Sequence, residues 1–340
     1  MSARRSLPGL RFTPGLVMRA LIVAVLAVLV TFSQFAPARA QSDYPSRPIR
    51  MIVGFAAGGG NDIFARLVAA KLSDILGQSV VVENRPGAGG RLSGEYVSNQ
   101  SADGYTLLVG ASGAMSIAAA IYPDLKYHPT KTLVPLAMIA SFPLIMVIGT
   151  DNPSNNVKEL VAWAKQHPDK ANYPSTSPAF TIATEQLKLK TGMPGVMIPY
   201  KSSNEMILSV MEGQTMTAIA DGPPTVPQVK AGKVKALAVT GSERSSELPD
   251  TPSMAEEGYP EVDVHLWSGV FAPAATPPAI VAKLEKALSE SIRDPGVSAK
   301  LKAMAADPGG GSPDVFRHMI DADIVKFSDV IKAANLHFEE

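Results

Sequence analysis

The apolar pattern after residue 40 repeats one arrangement three times. Residues 49–55 are largely apolar and lead into three consecutive glycines at 58–60, after which apolar side chains recur at helical spacing until Gly77. Two further short apolar runs, 79–83 and 105–109, each end in a glycine-rich loop. Strand, glycine loop and helix in repetition predict an α/β fold with a parallel sheet, whose loops gather at one edge.

The rest of the chain predicts a second α/β cycle that starts near Leu144. We expect strands at 144–148, 196–199, 215–220, 235–240 and 266–272, and helices at 157–164, 181–190, 279–293, 297–304 and 313–334. Residues 173–180 read as a polar loop. Residues 221–227 also read as a loop, because three prolines exclude an inner strand.

The glycine turn at 58–60 has the features of an anion site. Asn61 or Asp62 is available as the N-cap of the following helix. A helix N-terminus leaves backbone N–H groups without partners at the positive end of the helix dipole. The turn therefore predicts backbone contacts to a negatively charged ligand.

The first 40 residues have the layout of an export signal. Five arginines and no acidic residue occur there, an apolar run spans 20–30, and Ala38 and Ala40 form an A-x-A cleavage site. Removing this segment leaves 26 basic and 31 acidic residues, a net charge of −5. With no cysteine, the chain has neither a lipid-attachment residue nor disulfides. We expect a periplasmic protein that does not bind nucleic acid, which would need a basic face.

Several kinds of chemistry are not indicated. The five histidines are scattered and no cysteine accompanies them, so no metal site is expected. Ser112 misses the G-x-S-x-G hydrolase pattern by one position. A dinucleotide-dependent enzyme is an alternative, because Glu83 stands where a ribose-binding acid is expected; against it, Ile63 replaces the third glycine of G-x-G-x-x-G.

A series of segments resembles the Bug family, the solute-binding proteins of tripartite tricarboxylate transporters. The segments that carry the resemblance, in chain order, are 44–50, 58–66, 81–90, 103–108, 199–201, 231–240, 248–252 and 267–273. Each is weak alone, but together they cover 44–335 in the family's order. The resemblance implies a two-lobed, type II clamshell binding protein, with 43–141 and 265–340 in lobe 1 and 142–264 in lobe 2.

The resemblance also implies function. It indicates a monomer that captures a small organic acid, a di- or tricarboxylate or an aromatic carboxylate, for membrane permease subunits, without catalysis or a cofactor. A ligand-presenting sensor for a membrane signalling protein is an alternative. Carried over position by position, the ligand contacts are Phe55, Ala56, Ala57, Gly58, Gly59, Asp62, Ala111 and Ser112 from lobe 1, and Ser175, Thr176, Ser177, Thr181 and Asp221 from lobe 2.

Each of these side chains also has a purely structural interpretation. Phe55 can simply pack, Asp62 can pair with Arg66 four residues on, and Asp221 can cap a turn. The loop at 175–181 departs from the family pattern, because Pro178 has no N–H to donate. We expect ligand selectivity to lie in that loop.

Overall fold

The large sheet of this α/β protein has six strands and is built mostly from the first and last parts of the chain. The structure, a computed structural model, describes residues 44–333; the expected signal segment 1–40 and residues 334–340 lie outside the described part. The strands of the large sheet are β1 (Ile49–Val53), β2 (Val80–Asn84), β3 (Thr106–Ala111), β4 (Leu133–Pro143), β10 (His265–Pro273) and β11 (Asp307–Pro308).

The order of the large sheet is β11-β4-β10-β3-β1-β2. The three strands that start the strand–glycine–helix repeats, β1, β2 and β3, are parallel as predicted. The other half is antiparallel, because β10 pairs antiparallel with both β3 and β4, and β11 with β4. The prediction of a parallel sheet is therefore wrong for the sheet as a whole, which is mixed.

The strand β4 was not predicted, although it is the longest in the sheet. Its side chains do not alternate between apolar and polar, and Pro135 interrupts the run. The structure explains the proline. β11 pairs only with Ser141 and Ala140, so β4 is an edge strand around Pro135, where a missing N–H is tolerated.

Two smaller sheets come from the middle of the chain. The strands β5 (Ile145–Gly149), β8 (Thr217–Ala220) and β9 (Val234–Val239) form an antiparallel sheet in the order β8-β5-β9. The strands β6 (Asn172–Ser175) and β7 (Val196–Pro199) form a parallel pair. The six-stranded sheet thus draws on residues 49–143 and 265–308, and the small sheets on 145–239. The described residues from Pro45 onward group as one compact unit, and the predicted lobe boundaries stay a prediction.

Helices cover the sheets. On the chain segments of the large sheet they are α1 (Gly60–Leu76), α2 (Arg91–Ser98), α3 (Ala118–Ile121), α8 (Pro278–Arg293), α9 (Pro295–Lys302) and α10 (Pro313–Ala333). On those of the small sheets they are α4 (Val157–Gln166), α5 (Pro178–Thr191), α6 (Ser203–Met211) and α7 (Gly222–Lys230). None of the helices within 44–333 combines the length and apolar character needed to cross a membrane.

The expected loop at 221–227 is wrong, since α7 begins there. Pro223 and Pro224 lie in the first turn of the helix, where backbone N–H groups have no intrahelical partner and proline is well tolerated. Pro227 lies further in and deprives the helix of one hydrogen bond. A run of prolines excludes an inner strand but does not exclude a helix start.

Three aromatic rings join α10 to the large sheet. The ring of Phe316 lies 5.0 Å from that of Trp267, nearly perpendicular to it, and 5.4 Å from that of Phe271. Gly269 makes room for this contact, because a Cβ there would lie 2.2 Å from the Phe316 ring. Trp267 also donates from Nε1 to the Asp323 carboxylate at 2.7 Å. This cluster fixes Trp267, a residue of the site described below.

Replacing Phe316 should destabilise the protein strongly. For F316A we expect a loss of about 3–5 kcal/mol in the free energy of unfolding, measured by urea titration, because a buried ring leaves a cavity. V315A is the control: Val315 is adjacent but 65% exposed, and its change should stay within about 0.5 kcal/mol. A loss below 1 kcal/mol for F316A would contradict the role of this cluster.

Candidate functional site

The glycine turn after β1 leads directly into α1. Gly58 has a φ of +85°, a conformation that glycine adopts without strain. The helix begins at Gly60 with Gly59 as its N-cap, and no side chain caps it. The expectation that Asn61 or Asp62 is the N-cap is therefore wrong; both residues lie inside the first turn and serve other contacts.

Asp62 holds the turn in place. One carboxylate oxygen accepts the N–H of Gly58 at 3.0 Å, the other accepts from Asn84 Nδ2 at 2.9 Å, and Arg66 Nε lies 3.0 Å from both. Burial raises the pKa of this carboxyl, but the hydrogen bonds from Arg66, Gly58 and Asn84 outweigh it and hold the pKa below its ordinary value. The pairing with Arg66 is confirmed, and these contacts occupy the Asp62 carboxylate among residues 58–84.

The backbone donors of the turn are less free than the sequence suggests. The N–H of Gly58 is bonded to Asp62. The N–H of Ala56 points to the carbonyl of Lys201 at 3.4 Å, a contact with the segment before α6. The Asp221 carboxylate lies against Gly60, where the nearby N–H of Gly60 favours the charged form of Asp221. The anion that lies at the start of α1 in this structure is thus a side chain of the protein itself.

Asp221 reaches this position from the end of β8. The residue is 1% exposed, and Ser203, its own N–H and the N–H of Gly60 lie close enough to favour its charged form. The oxygen Oδ1 has no hydrogen-bond partner. Burial raises the pKa of Asp221 to about 6, because these donors compensate only part of the lost hydration.

Glycines allow the two sides to approach closely here. A Cβ on Gly60 would lie 1.8 Å from Oδ2 of Asp221, and a Cβ on Gly222 would lie 1.8 Å from the carbonyl oxygen of Met304. Gly59 lies against Ser202 and Ser203. The consecutive glycines therefore serve close packing between the large-sheet and small-sheet segments, in addition to the turn.

The expected polar loop at 173–180 is wrong, because β6 extends to Ser175 and α5 begins at Pro178. The segment 175–181, which runs from the end of β6 into the first turn of α5, forms the opposite wall and is held by its own hydroxyls. Ser175 Oγ donates to the carbonyl of Ser177 at 2.8 Å and accepts from Thr181 Oγ1 at 2.9 Å. It also accepts the N–H of Ser177 at 3.4 Å, so its bonding capacity is used. Thr176 Oγ1, in contrast, is buried without a partner. Ser177 contacts the large-sheet segments, since its Cβ lies 3.3 Å from where a Cβ of Gly89 would be.

A cavity lies between these two walls. Its volume is about 10 Å³. That is room for about one water molecule. The predicted residues that line it are Phe55, Ala111, Ser112, Ser177 and Asp221. The predicted residues outside its lining are Ala56, Ala57, Gly58, Gly59, Asp62, Ser175, Thr176 and Thr181.

Seven lining residues were absent from the predicted contacts. They are Asn61, Gly113, Phe142, Ala179, Phe180, Leu266 and Trp267. Asn61 and Phe180 could have been found, because each is adjacent to a predicted contact segment. Phe142 and Leu266 could not, because they pair across β4 and β10, and β4 was not predicted.

The chemistry of the cavity wall is mostly apolar, with a few polar groups. Asn61 Oδ1 accepts a hydrogen bond from Ser268 Oγ, which leaves its Nδ2 group as a donor. Ser112 Oγ accepts the N–H of Trp267 at 3.3 Å and can still donate its own proton. No lysine or arginine lines the cavity, and no cluster of metal-ligating residues occurs within residues 44–333. Such a wall suits a small organic molecule with a few hydrogen-bonding groups.

Comparison with known proteins supports this picture. The model of a family described as "Tripartite tricarboxylate transporter family receptor" matches residues 64–336. Among solved structures, Rpa4515 of R. palustris with adipate has a TM-score of 0.83 at 33% identity, covering 87% of this chain and 99% of that one. The periplasmic binding protein BugD has a TM-score of 0.83 at 32% identity, covering 87% and 100%.

A third solved structure is MatC of Rhodopseudomonas palustris with bound malate. Its TM-score is 0.81 at 30% identity, and the match covers 85% of this chain and all of the other. These likenesses confirm the predicted α/β fold of a two-lobed periplasmic binding protein. Two of the three structures hold a dicarboxylate.

A methyl group on Gly60 tests the contact with Asp221. An alanine inside an exposed helix would ordinarily be favourable by about 1 kcal/mol relative to glycine. In G60A the new Cβ collides with the Asp221 carboxylate, so we expect a loss of about 1–3 kcal/mol in the free energy of unfolding, measured in urea. G311A, where a Cβ meets nothing within 4 Å, should be near neutral. A stabilised G60A would show that the contact does not exist in solution.

The buried carboxyl of Asp221 should make stability depend on pH. Its folded pKa of about 6 lies above the ordinary value of about 3.9, so the folded state holds the proton more tightly and stability falls as pH rises through this window. Between pH 5 and pH 8 the wild-type chain should lose about 1–2 kcal/mol relative to D221N. The exposed Asp151 provides the control D151N. A flat difference between wild type and D221N would contradict the burial of a titrating Asp221.

Proposed function

Because the chain belongs to the tripartite tricarboxylate transporter family of receptors, we propose that it is a periplasmic binding protein that captures a small organic acid for the membrane permease subunits of such a transporter. The observation that carries this proposal is the cavity between α1 and the 175–181 segment, which takes its lining from both the large-sheet and the small-sheet segments. A ligand there would contact both sides at once.

The proposed ligand contacts combine both sets of residues. From the predicted set we retain Phe55, Ala111, Ser112, Ser177 and Asp221, which line the cavity, and to these we add Asn61, Phe180 and Trp267. We propose that the other predicted residues support the two walls of the cavity. They are Ala56, Ala57, Gly58, Gly59, Asp62, Ser175, Thr176 and Thr181. Asn61 and Ser112 supply donors for a carboxylate, and the aromatic rings cover its apolar part.

Capture requires the two sides to separate. A cavity that admits about one water cannot admit a molecule the size of malate or adipate, the ligands named for two structural relatives. We propose that the small sheets move away from the large sheet to admit the acid and then close over it. Micromolar affinity corresponds to about 8 kcal/mol, so donors from both walls are needed, at about 1.5–3 kcal/mol for each bond to a charged group.

The dinucleotide alternative loses its main support. Glu83, which stands at the expected ribose-binding position, accepts hydrogen bonds from Arg50 Nε at 2.7 Å and from Arg50 Nη2 at 2.8 Å. Its carboxylate thus serves an ion pair between β1 and β2. The proposal therefore assigns the protein no catalytic step.

A screen of ligands by thermal unfolding tests the proposal. Mature chain (residues 41–340) is heated with di- and tricarboxylates, aromatic acids, amino acids or NAD at equal ionic strength. We expect at least one acid to stabilise the chain, by about 2.7 kcal/mol at a hundredfold excess over its Kd, and to be recovered unchanged afterwards. A shift with NAD alone, or consumption of the acid, would contradict the proposal.

The site itself is tested by an exchange of asparagine for alanine in two places. N61A removes an amide from the cavity wall, and we expect about tenfold weaker binding of the stabilising acid in isothermal calorimetry, or about 1.4 kcal/mol. N99A removes the exposed amide that donates to the Glu95 carbonyl, far from the cavity in the chain, and should leave affinity unchanged. Equal affinities of N61A and the wild type would place the ligand elsewhere.

A further inference from the structure

Asp221 is the one charged side chain in the cavity wall, and its position is unusual. It is 1% exposed, yet no lysine or arginine lines the same cavity. Asp62 offers the contrast within the same protein, because that buried carboxylate has the guanidinium of Arg66 at 2.9 Å. A buried carboxylate without a cation is costly unless hydrogen bonds satisfy it.

The two oxygens of the Asp221 carboxylate have different surroundings. Oδ2 faces Gly60, and the nearby donor groups of Ser203, Gly60 and Asp221 itself favour the charged form. Oδ1 is buried and has no partner. Only three side-chain atoms within residues 44–333 share that condition, and the other two, on Thr176 and Gln186, do not belong to residues that line the cavity.

An unpartnered buried acceptor in the wall of a binding cavity needs a donor, and a ligand that displaces water from the cavity has to supply that donor itself. A second carboxylate would be repelled at that position, since two like charges in a buried site disfavour each other. A hydroxyl or an ammonium group would satisfy Oδ1 and recover the free energy that burial costs. The ammonium group would also neutralise the charge.

We propose that Asp221 selects acids that carry a hydroxyl or ammonium group in addition to their carboxylate. This assignment rests on the proposed function, since it concerns the same cavity. The ligand's carboxylate lies on the wall of Asn61 and Ser112, and its donor group lies against Oδ1 of Asp221. Unsubstituted acids of the same length leave Oδ1 unpartnered and bind more weakly, because a site built to accept a hydrogen bond rejects analogues that lack the donor.

The test compares acids that differ by one group. Binding of succinate, malate and aspartate, and of adipate and 2-aminoadipate, is measured by isothermal calorimetry at pH 8 on the mature wild-type chain, on D221N and on D151N. We expect a hydroxy or amino acid to bind wild type and D151N at least tenfold more tightly than its unsubstituted partner. In D221N the advantage of the amino acid should fall to threefold or less, because the amide carries no charge.

The outcomes separate this inference from the proposed function. If substituted and unsubstituted acids bind the wild type equally, or if D221N keeps the full preference, the role of Asp221 is overturned while acid binding stands. If no acid in this panel or in the wider thermal screen binds, the proposed function fails and the inference fails with it. The comparison on the wild type needs no variant, so it decides the question even if D221N does not fold.

Discussion

The contact between the Asp221 carboxylate and the first turn of α1 constrains the whole site. It joins the end of β8 to the start of α1, and it exists only because Gly60 has no side chain. An anion at a helix N-terminus is a favourable arrangement, and here the protein supplies that anion itself. A captured acid must therefore bind beside this carboxylate. Its affinity then depends on how closely the small-sheet segments approach the large-sheet segments.

Two buried aspartates, Asp62 and Asp221, have different roles at the start of α1. Asp62 is bonded on both oxygens and paired with Arg66, so it fixes the glycine turn on the large-sheet side. Oδ1 of Asp221 is buried without a partner, and no lysine or arginine lines the cavity with it. The first arrangement is that of a structural carboxylate. The second leaves one carboxylate oxygen able to accept a hydrogen bond from a ligand. This difference is the reason for placing the ligand's donor group against Asp221.

Local sequence patterns predicted local structure well and long-range contacts poorly. The presence of α1 after the glycine turn, its end at Gly77 and the strand β7 follow from apolar spacing and glycine placement, but the N-cap of α1 does not. β4 was missed because an edge strand with a proline lacks alternation, and α7 because its prolines also suit a helix start. The resemblance predicted Asp221 as a site residue, but no sequence pattern shows that its carboxylate would lie against Gly60, more than 150 residues away in the chain.

The most direct test of the account is a crystal structure of the mature chain grown with the acid that stabilises it most. The account predicts that the ligand lies between the first turn of α1 and the 175–181 segment, with atoms within hydrogen-bond distance of Asn61 or Ser112 on one side and of Asp221 on the other. A ligand bound outside this cavity, or one that contacts only the large-sheet side, would contradict the account.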